Sequence, residues 1–393
     1  MIAREKDIPY GSKGYPFLGA PCHPVTVSPT CAKKNKGSLS ENIDNPLLTS
    51  PRVDVIQGNT IALFFLVMAA GGYGRPCERT VTLRGKPAGE GRPGRKMRAR
   101  AASPFPEPFM QYKETQMNTR GFSLVREERL SEVSGTVKLW RHDATGAELL
   151  SIVNNDENKC FGATFRTPPK DSTGVAHILE HSVLCGSEKY PVKEPFVELL
   201  KGSLQTFLNA FTFPDKTCYP VASANLQDFY NLVDVYLDAV FFPRIDENCF
   251  QQEGWHIEAD SPAGPLRYKG VVFNEMKGVY SSPDSVLAEH SQQSLFPDMT
   301  YGLDSGGNPE VIPQLTYKAF KSFHESHYHP SNTRFFFWGD DPEEQRFALL
   351  EPYLSRFTAR ETDSAVPLQP RLDVPRQLEF PYASGEDGDK GHV

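Results

Sequence analysis

The stretch GVAHILEHSVLCGS, residues 174–187, restricts more than any other what this chain can become. Read with helical periodicity it is apolar enough to be buried, yet it carries two histidines and a glutamate within five positions. His177 and His181 are four apart and project about 40° from each other on one face, while Glu180, three after His177, lies about 60° to the other side. All three side chains point into one cleft. Two imidazoles at i and i+4 can chelate one tetrahedral zinc ion. A glutamate beside that ion can act as general base toward water and later pass the proton to a leaving amine. This HxxEH order is the reverse of HExxH. The bland alternative is a helix end whose histidines only form hydrogen bonds.

A catalytic zinc needs a third protein ligand and one open position. Glu275, in GVVFNEMKGVY, is the best candidate. It falls on a predicted helix whose Val271, Val272, Met276 and Val279 can bury the surroundings. A carboxylate among such neighbours requires a metal or a hydrogen-bond donor. Glu253 and Glu258 are weaker rivals, and an unpartnered surface glutamate is the alternative. A second cluster, FHESHYHPS, holds His324, His327 and His329. Its spacing permits metal binding. Such histidines more often close a helix, where the C-terminal dipole favours positive charge, and His329 precedes a proline, so the chain leaves the helix there.

Around these motifs, residues 1–105 are rich in Gly, Pro, Ser and Arg without sustained periodicity and read as disordered and targeting-like. The apolar run IALFFLVMAA, Ile61–Ala70, is shorter than the about 20 residues that span a bilayer but suits the core of a signal sequence. Arg75–Arg100 contains nine Arg or Lys and two Glu, a local +7 in a chain of net charge −7, so the remainder carries −14. That basic stretch resembles an organelle transit peptide. The alternative is that the true start lies nearer Met97 or Met110. An acidic body is a poor candidate for nucleic-acid binding and fits basic substrates better. The seven cysteines are scattered without a CxxC pair, which speaks against a disulfide framework or a zinc ribbon and for reduced thiols.

A folded domain is expected over 106–355 and a linker-like, truncated tail over 356–393. TVKLWRHD, ELLSIVN and CFGATFRT read as strands joined by short turns, which predicts antiparallel pairs. Asp171, Ser172 and Thr173 are candidate N-caps of the motif helix and Gly186 its stop. PFVELLKGSLQTFLNAFT reads as a helix and then a strand. NLQDFYNLVDVYLDAVFFP reads as an amphipathic helix capped by Asn225, with Leu226, Phe229, Tyr230, Val233, Leu237 and Val240 on its buried side. TYKAFKSFHESHYHP, TRFFFWG and PEEQRFALLEPYLSRF predict a helix, a strand and a helix. No internal repeat is present.

Taken together, HILEHSVLCGSEKYPVKEPFVELLKGSLQTFLNAFTFPDKTCYP, DVYLDAVFFP, EGWHIE, YKGVVFNEMKGVYSS, SGGNPEVIPQLTY and FHESHYHPSNTRFF resemble the presequence protease group of the pitrilysin-type (M16, HxxEH) zinc metallopeptidases, over about residues 115–355. The resemblance implies an α+β fold, a mixed and largely antiparallel sheet packed with helices. It implies that His177, His181 and Glu275 hold Zn2+ and that Glu180 is the catalytic base. LNAFT matches an edge strand that lines the substrate, so Asn209 and Ala210 are expected to pair with an extended peptide. It further implies a metalloendopeptidase of the mitochondrial matrix or plastid stroma, acting on short unfolded peptides such as freed targeting peptides, with no nucleic-acid partner and no stable membrane span. Full members close two halves into a chamber. This chain is expected to hold only the N-terminal part and to show weak or absent activity without the missing C-terminal half or a partner chain. The rival expectation is a non-catalytic or partner-dependent subunit that binds peptides.

Overall fold

A computed structural model of the chain describes residues 118–382 apart from Glu194. The targeting-like segment, the apolar run at 61–70, the basic stretch at 75–100 and the candidate starts Met97 and Met110 lie outside the described residues.

The strands β1 (Phe122–Leu130), β2 (Gly135–His142) and β3 (Glu148–Val153) form an antiparallel meander, followed by β4 (Lys159–Arg166). The chain then makes the helices α1 (Val175–Val183) and α2 (Pro195–Gly202) before returning as β5 (Gln205–Leu208), β6 (Phe211–Thr212) and β7 (Lys216–Ser223). Next come α3 (Leu226–Phe241), α4 (Glu247–Glu253), the hairpin β8 (His256–Ala259) and β9 (Leu266–Lys269), α5 (Val271–Val279) and α6 (Pro283–Leu295). Finally α7 (Tyr317–His327) leads into β10 (Thr333–Gly339), and α8 (Glu343–Leu354) closes the domain. The main sheet has the order β1-β2-β3-β10-β4-β7-β5, with β6 also on β7. Only the β3–β10 pair is parallel, so the sheet is mixed and largely antiparallel, as expected.

The alternation of side chains along a strand sorts β10 onto two faces. Phe335 and Phe337 join Phe161, Phe165, Tyr219 and the helices in the principal core, whereas Phe336 and Trp338 pack with Ile152, Cys160, Cys218 and Ala222 on the other side. On α3 the Asn225 side chain accepts the Asp228 N–H at 3.0 Å, the cap read from sequence. The buried side of α3 is wider than expected. Leu232 and Tyr236 are fully buried, Tyr230 is half-buried and Leu226 is exposed, because the helix sinks into the core only after its first turn. The cap of α1 also differs. Gly174 occupies that position with φ +69° and no side chain caps the helix, since Asp171 instead accepts from the backbone and hydroxyl of Thr173.

One buried ion pair pins α8 to the middle of the sheet. Arg346 is completely buried and all five of its N–H donors are used: on both oxygens of Asp341, on the Ser151 hydroxyl and on the Ile152 and Gly339 carbonyls. One turn earlier Glu343 accepts from Lys138, Trp140 and Ser151. Removing one member of such a cluster strands the other charge in low dielectric. Arg346→Ala should therefore cost about 3–5 kcal/mol in urea unfolding, and removing Asp341 as well should recover part of the loss.

Candidate metal centre

The residues of α1 that face away from its apolar neighbours meet groups from four other places in the chain. The His177 Nε2 lies 3.8 Å from Glu275 Oε1, and the His181 Nε2 lies 3.8 Å from Glu275 Oε2. One ligand atom from each of the three residues falls within 4.8 Å of the others. Tetrahedral zinc ligands at about 2.1 Å from a common ion are separated by about 3.4 Å, so a set spread over up to 4.8 Å closes around a cation by side-chain shifts of up to about an ångström. The donor set also fits. His177 Nδ1 donates to the Gly306 carbonyl at 2.9 Å, which leaves the Nε2 lone pair of the neutral ring aimed at the site. His181 Nδ1 bonds to Glu253 Oε2 at 3.3 Å, with the same consequence for its Nε2. Metal-bound histidines characteristically spend their second nitrogen on a carbonyl or carboxylate in this way.

Glu180 shares the cleft but not the cluster. Its Oε2 accepts the Thr212 hydroxyl at 2.6 Å, which ties it to β6. Asn209 and Ala210 lie between β5 and β6 on the same open edge. Asn209 N–H donates to the Pro220 carbonyl, and Phe213 N–H to that of Lys216. Odd-numbered residues therefore face β7, and Ala210 and Thr212 turn their backbone groups to the open edge. Pro220 has no N–H to return, so the ladder breaks there, and the Asn209 carbonyl takes the Tyr236 hydroxyl instead at 3.2 Å. The outward Ala210 N–H is capped by the Asn209 side chain at 2.9 Å. Asn209 thus presents a side chain to the edge, and Ala210 presents backbone.

With this geometry in place, similarity to known proteins becomes informative. The family model for Insulinase (Peptidase family M16) matches residues 162–276, and that for the Peptidase M16 inactive domain matches residues 314–392. The chain is 59% identical over 273 residues to "Presequence protease 1, chloroplastic/mitochondrial" of Arabidopsis thaliana, covering 68% of this chain and 25% of that protein. It is 46% identical over 285 residues to "Presequence protease, mitochondrial" of Mus musculus, covering 72% of this chain and 27% of that one. The chain belongs to the M16 peptidase family. It spans about a quarter of the length of these M16 relatives. The crystal structure of pitrilysin matches the fold with a TM-score of 0.50 at 21% identity, over 65% of this chain and 26% of that one.

Glu253 is, from the sequence, a rival candidate for the third ligand. In the structure it is instead the partner of His181, delivered by α4. Burial opposes charge on His181, but the Glu253 bond and the nearby Glu180 and Glu275 carboxylates outweigh it and raise its pKa. Burial likewise pushes Glu253 up, and the bonds from His181 and Gln252 overcome it and hold its carboxyl low. Glu258 lies elsewhere, on the β8–β9 hairpin, paired with Lys269 at 3.3 Å. Thr212 and the Gly306 carbonyl were not foreseen. Thr212 was visible only as the end of LNAFT, and a backbone carbonyl leaves no trace in a sequence.

The second histidine cluster contributes no ligands to the centre. His324 Nε2 donates to the Val240 carbonyl at 2.9 Å, His327 Nδ1 bonds to the Phe323 carbonyl, and His329 accepts the Ser331 N–H. Burial pulls His324 and His329 down to about 4. Desolvation outweighs the Val240 bond at His324, and the nearby Arg360 charge adds to it at both residues, so both serve as neutral packing groups.

Two outcomes follow from these contacts. Glu253→Gln should weaken zinc binding about 10–100-fold, read by competition with a chromogenic chelator. Because His324 is uncharged when folded but titrates near its ordinary value when unfolded, stability should be intact above about pH 6.5 and fall on acidification toward about pH 4, by on the order of a few kcal/mol. Urea unfolding at several pH values measures this, and His324→Gln should flatten the acid limb.

Proposed function

We propose that this chain carries the catalytic centre of a zinc metalloendopeptidase that hydrolyses short unstructured peptides, freed organelle targeting peptides being the favoured class. The observation that carries the reading is the convergence of His177, His181 and Glu275, each histidine with its second nitrogen already engaged, beside a glutamate that belongs to none of the three. His177, His181 and Glu275 hold the zinc. Bound there, zinc supplies a Lewis acid for the scissile carbonyl and makes hydroxide available from water near neutral pH.

Glu180 takes the proton from the attacking water and returns it to the leaving amine. The Thr212 hydroxyl holds one Glu180 oxygen, so the other is left to face the water. An extended peptide adds to the open edge alongside Ala210, displacing the Asn209 side chain from the Ala210 N–H, and this places a peptide bond at the cleft. The acidic body suits basic peptides. The names of the Arabidopsis and mouse relatives favour the mitochondrial matrix or the plastid stroma as the place of action. Because the chain spans about a quarter of those relatives, the assay is run on the chain alone and in the presence of the remainder of such a protein.

Glu180→Gln should retain zinc but lose hydrolysis of a fluorogenic basic peptide by about 100-fold or more, and exposure to a chelator should abolish the wild-type rate reversibly. Equal cleavage by wild type and variant would remove Glu180 from the mechanism. Peptide binding without cleavage, in the chain alone and with the remainder supplied, would favour a peptide-binding subunit instead.

A further inference from the structure

Between α6 and α7 the chain passes through Asp304, Gly306 and Gly307, and this turn does more than connect two helices. Asp304 is 7% exposed, and its two oxygens face in different directions. Oδ1 accepts the Gly306 N–H at 2.9 Å and the Gly307 N–H at 3.2 Å, which shapes the turn. Oδ2 accepts the hydroxyl of Tyr280 at 2.6 Å, and Tyr280 is the C-cap of α5, the helix that carries Glu275. The carbonyl presented by the same turn, that of Gly306, is the one bonded to His177 Nδ1. A single carboxylate therefore ties the Glu275 helix to the acceptor that orients His177.

The turn is also locked to the start of α1. The Ser172 hydroxyl accepts the Asp304 N–H at 3.1 Å, and the Ser172 carbonyl accepts the Asn308 N–H at 2.9 Å. Gly174, just before α1, has φ +69°, and Gly307 has φ +104°. A Cβ on Gly174 would lie 2.8 Å from the Gly306 oxygen and 2.9 Å from the Gly307 Cα, and one on Gly307 would lie 2.9 Å from the Gly174 Cα. The two backbones touch, and only hydrogen at both positions lets the Gly306 oxygen come within reach of His177. Gly306 is similarly confined, since a Cβ there would lie 3.0 Å from the end of Met276, the neighbour of Glu275.

We propose that Asp304, acting through the Gly174–Gly307 backbone contact and Tyr280, is a positioning residue for the metal centre: it fixes the Gly306 carbonyl on His177 and the Glu275 helix in one arrangement, and thereby sets how tightly a divalent cation is held. The proposal rests on the reading of His177 and Glu275 as ligands. Asp304 itself touches neither the cation nor a peptide. Its effect is to remove the freedom of two ligands that come from distant parts of the chain, which is what an outer hydrogen-bonding shell contributes to metal affinity.

The test measures zinc affinity of the full chain by chelator competition, with thermal melting of the metal-free protein alongside. Asp304→Ala and Gly174→Ala should each weaken zinc binding about 10–100-fold. Asp304→Asn keeps an oxygen for the Gly306 and Gly307 amides but offers an NH2 group to Tyr280, so it should fall between Asp304→Ala and wild type. Tyr280→Phe, which leaves the turn untouched, should give a smaller loss of the same sign. Ser151→Ala, which loosens the remote Arg346 cluster, lowers the melting temperature without changing zinc affinity, and so separates positioning from general stability. A second readout is the tautomer of His177 in the metal-free protein by nitrogen NMR. Asp304→Ala and Gly174→Ala should shift it away from the Nδ1–H form, whereas Ser151→Ala should not. Wild-type affinity and tautomer in all four site variants would overturn the proposal. If Asp304→Ala and Gly174→Ala do not fold, Tyr280→Phe and Asp304→Asn decide it. A wild-type chain that binds no zinc would instead overturn the ligand reading, a distinguishable result.

Discussion

Burying an apolar helix that carries three titratable side chains is the constraint around which this domain is arranged. His177 is 8% exposed, and the rest of α1 is packed against α4, α7 and the sheet. A polar group in such surroundings is costly unless it is hydrogen-bonded. Each one is satisfied by a different part of the chain: His177 by the Gly306 carbonyl, His181 by Glu253, Glu180 by Thr212. The partners come from a turn, a helix and a strand, so the helix cannot be seated unless all three have assembled. The same bonds leave both Nε2 atoms directed at Glu275. Satisfying these polar groups and preparing the proposed metal site are one arrangement.

The sheet makes that assembly possible by bringing distant strands together. β10 inserts between β3 and β4, parallel to one and antiparallel to the other. The carbonyl at its C-terminal end, that of Gly339, is then tied to α8 through Arg346 Nη2, while Nη1 takes the Ile152 carbonyl of β3. At the other side of the sheet, β7 pairs with β4 on one flank and with β5 and β6 on the other. Pro220 sits where its missing N–H breaks the outer ladder at Asn209 and leaves the β4 register continuous. The interruption falls one residue before Ala210, at the part of the edge closest in sequence to Thr212.

Strong periodicity made much of this legible from sequence. The stripe of α3, the HxxEH spacing on α1 and the alternation of β2 were readable as periodicity, whereas β4, buried on both faces, reads only as a short apolar run. Other elements lack that signature for identifiable reasons. β1 is exposed along almost its whole length, so FSLVREERL shows no apolar face. β7 contains a proline, which argues against a central strand until one sees that its N–H side is the one lost. α6 buries no residue, and α4 is only seven residues long. At the site, helix geometry singled out the two histidines and Glu180, while of the four apolar neighbours that pointed to Glu275 only Val272 and Met276 are buried and Val271 and Val279 are exposed. Glu253 was a weaker rival for the third ligand and is bonded to His181 in the structure, a difference that a sequence does not show because a carboxylate near a cation site and one that holds a histidine look alike there. The Gly306 carbonyl was invisible for a deeper reason. Every residue has one, and only the close passage of Gly174 against Gly307 selects it.

The bond from Thr212 to Glu180 joins the two halves of the proposed chemistry. Thr212 belongs to β6, a strand of two residues, and its hydroxyl reaches into the cleft while its backbone faces the open edge. A peptide added at that edge pairs with the same short segment that holds the base. Glu180 itself is carried by α1, and the Thr212 bond couples its carboxylate to the edge along which a peptide would lie. For a reaction in which misplacement of about an ångström can cost about a hundredfold in rate, a direct bond between the helix that carries Glu180 and the edge strand limits how far the two can drift apart. His181 and Glu275 remain about a quarter exposed at their side chains, so under the proposed mode of binding a peptide laid along the edge would itself begin to exclude water from the centre.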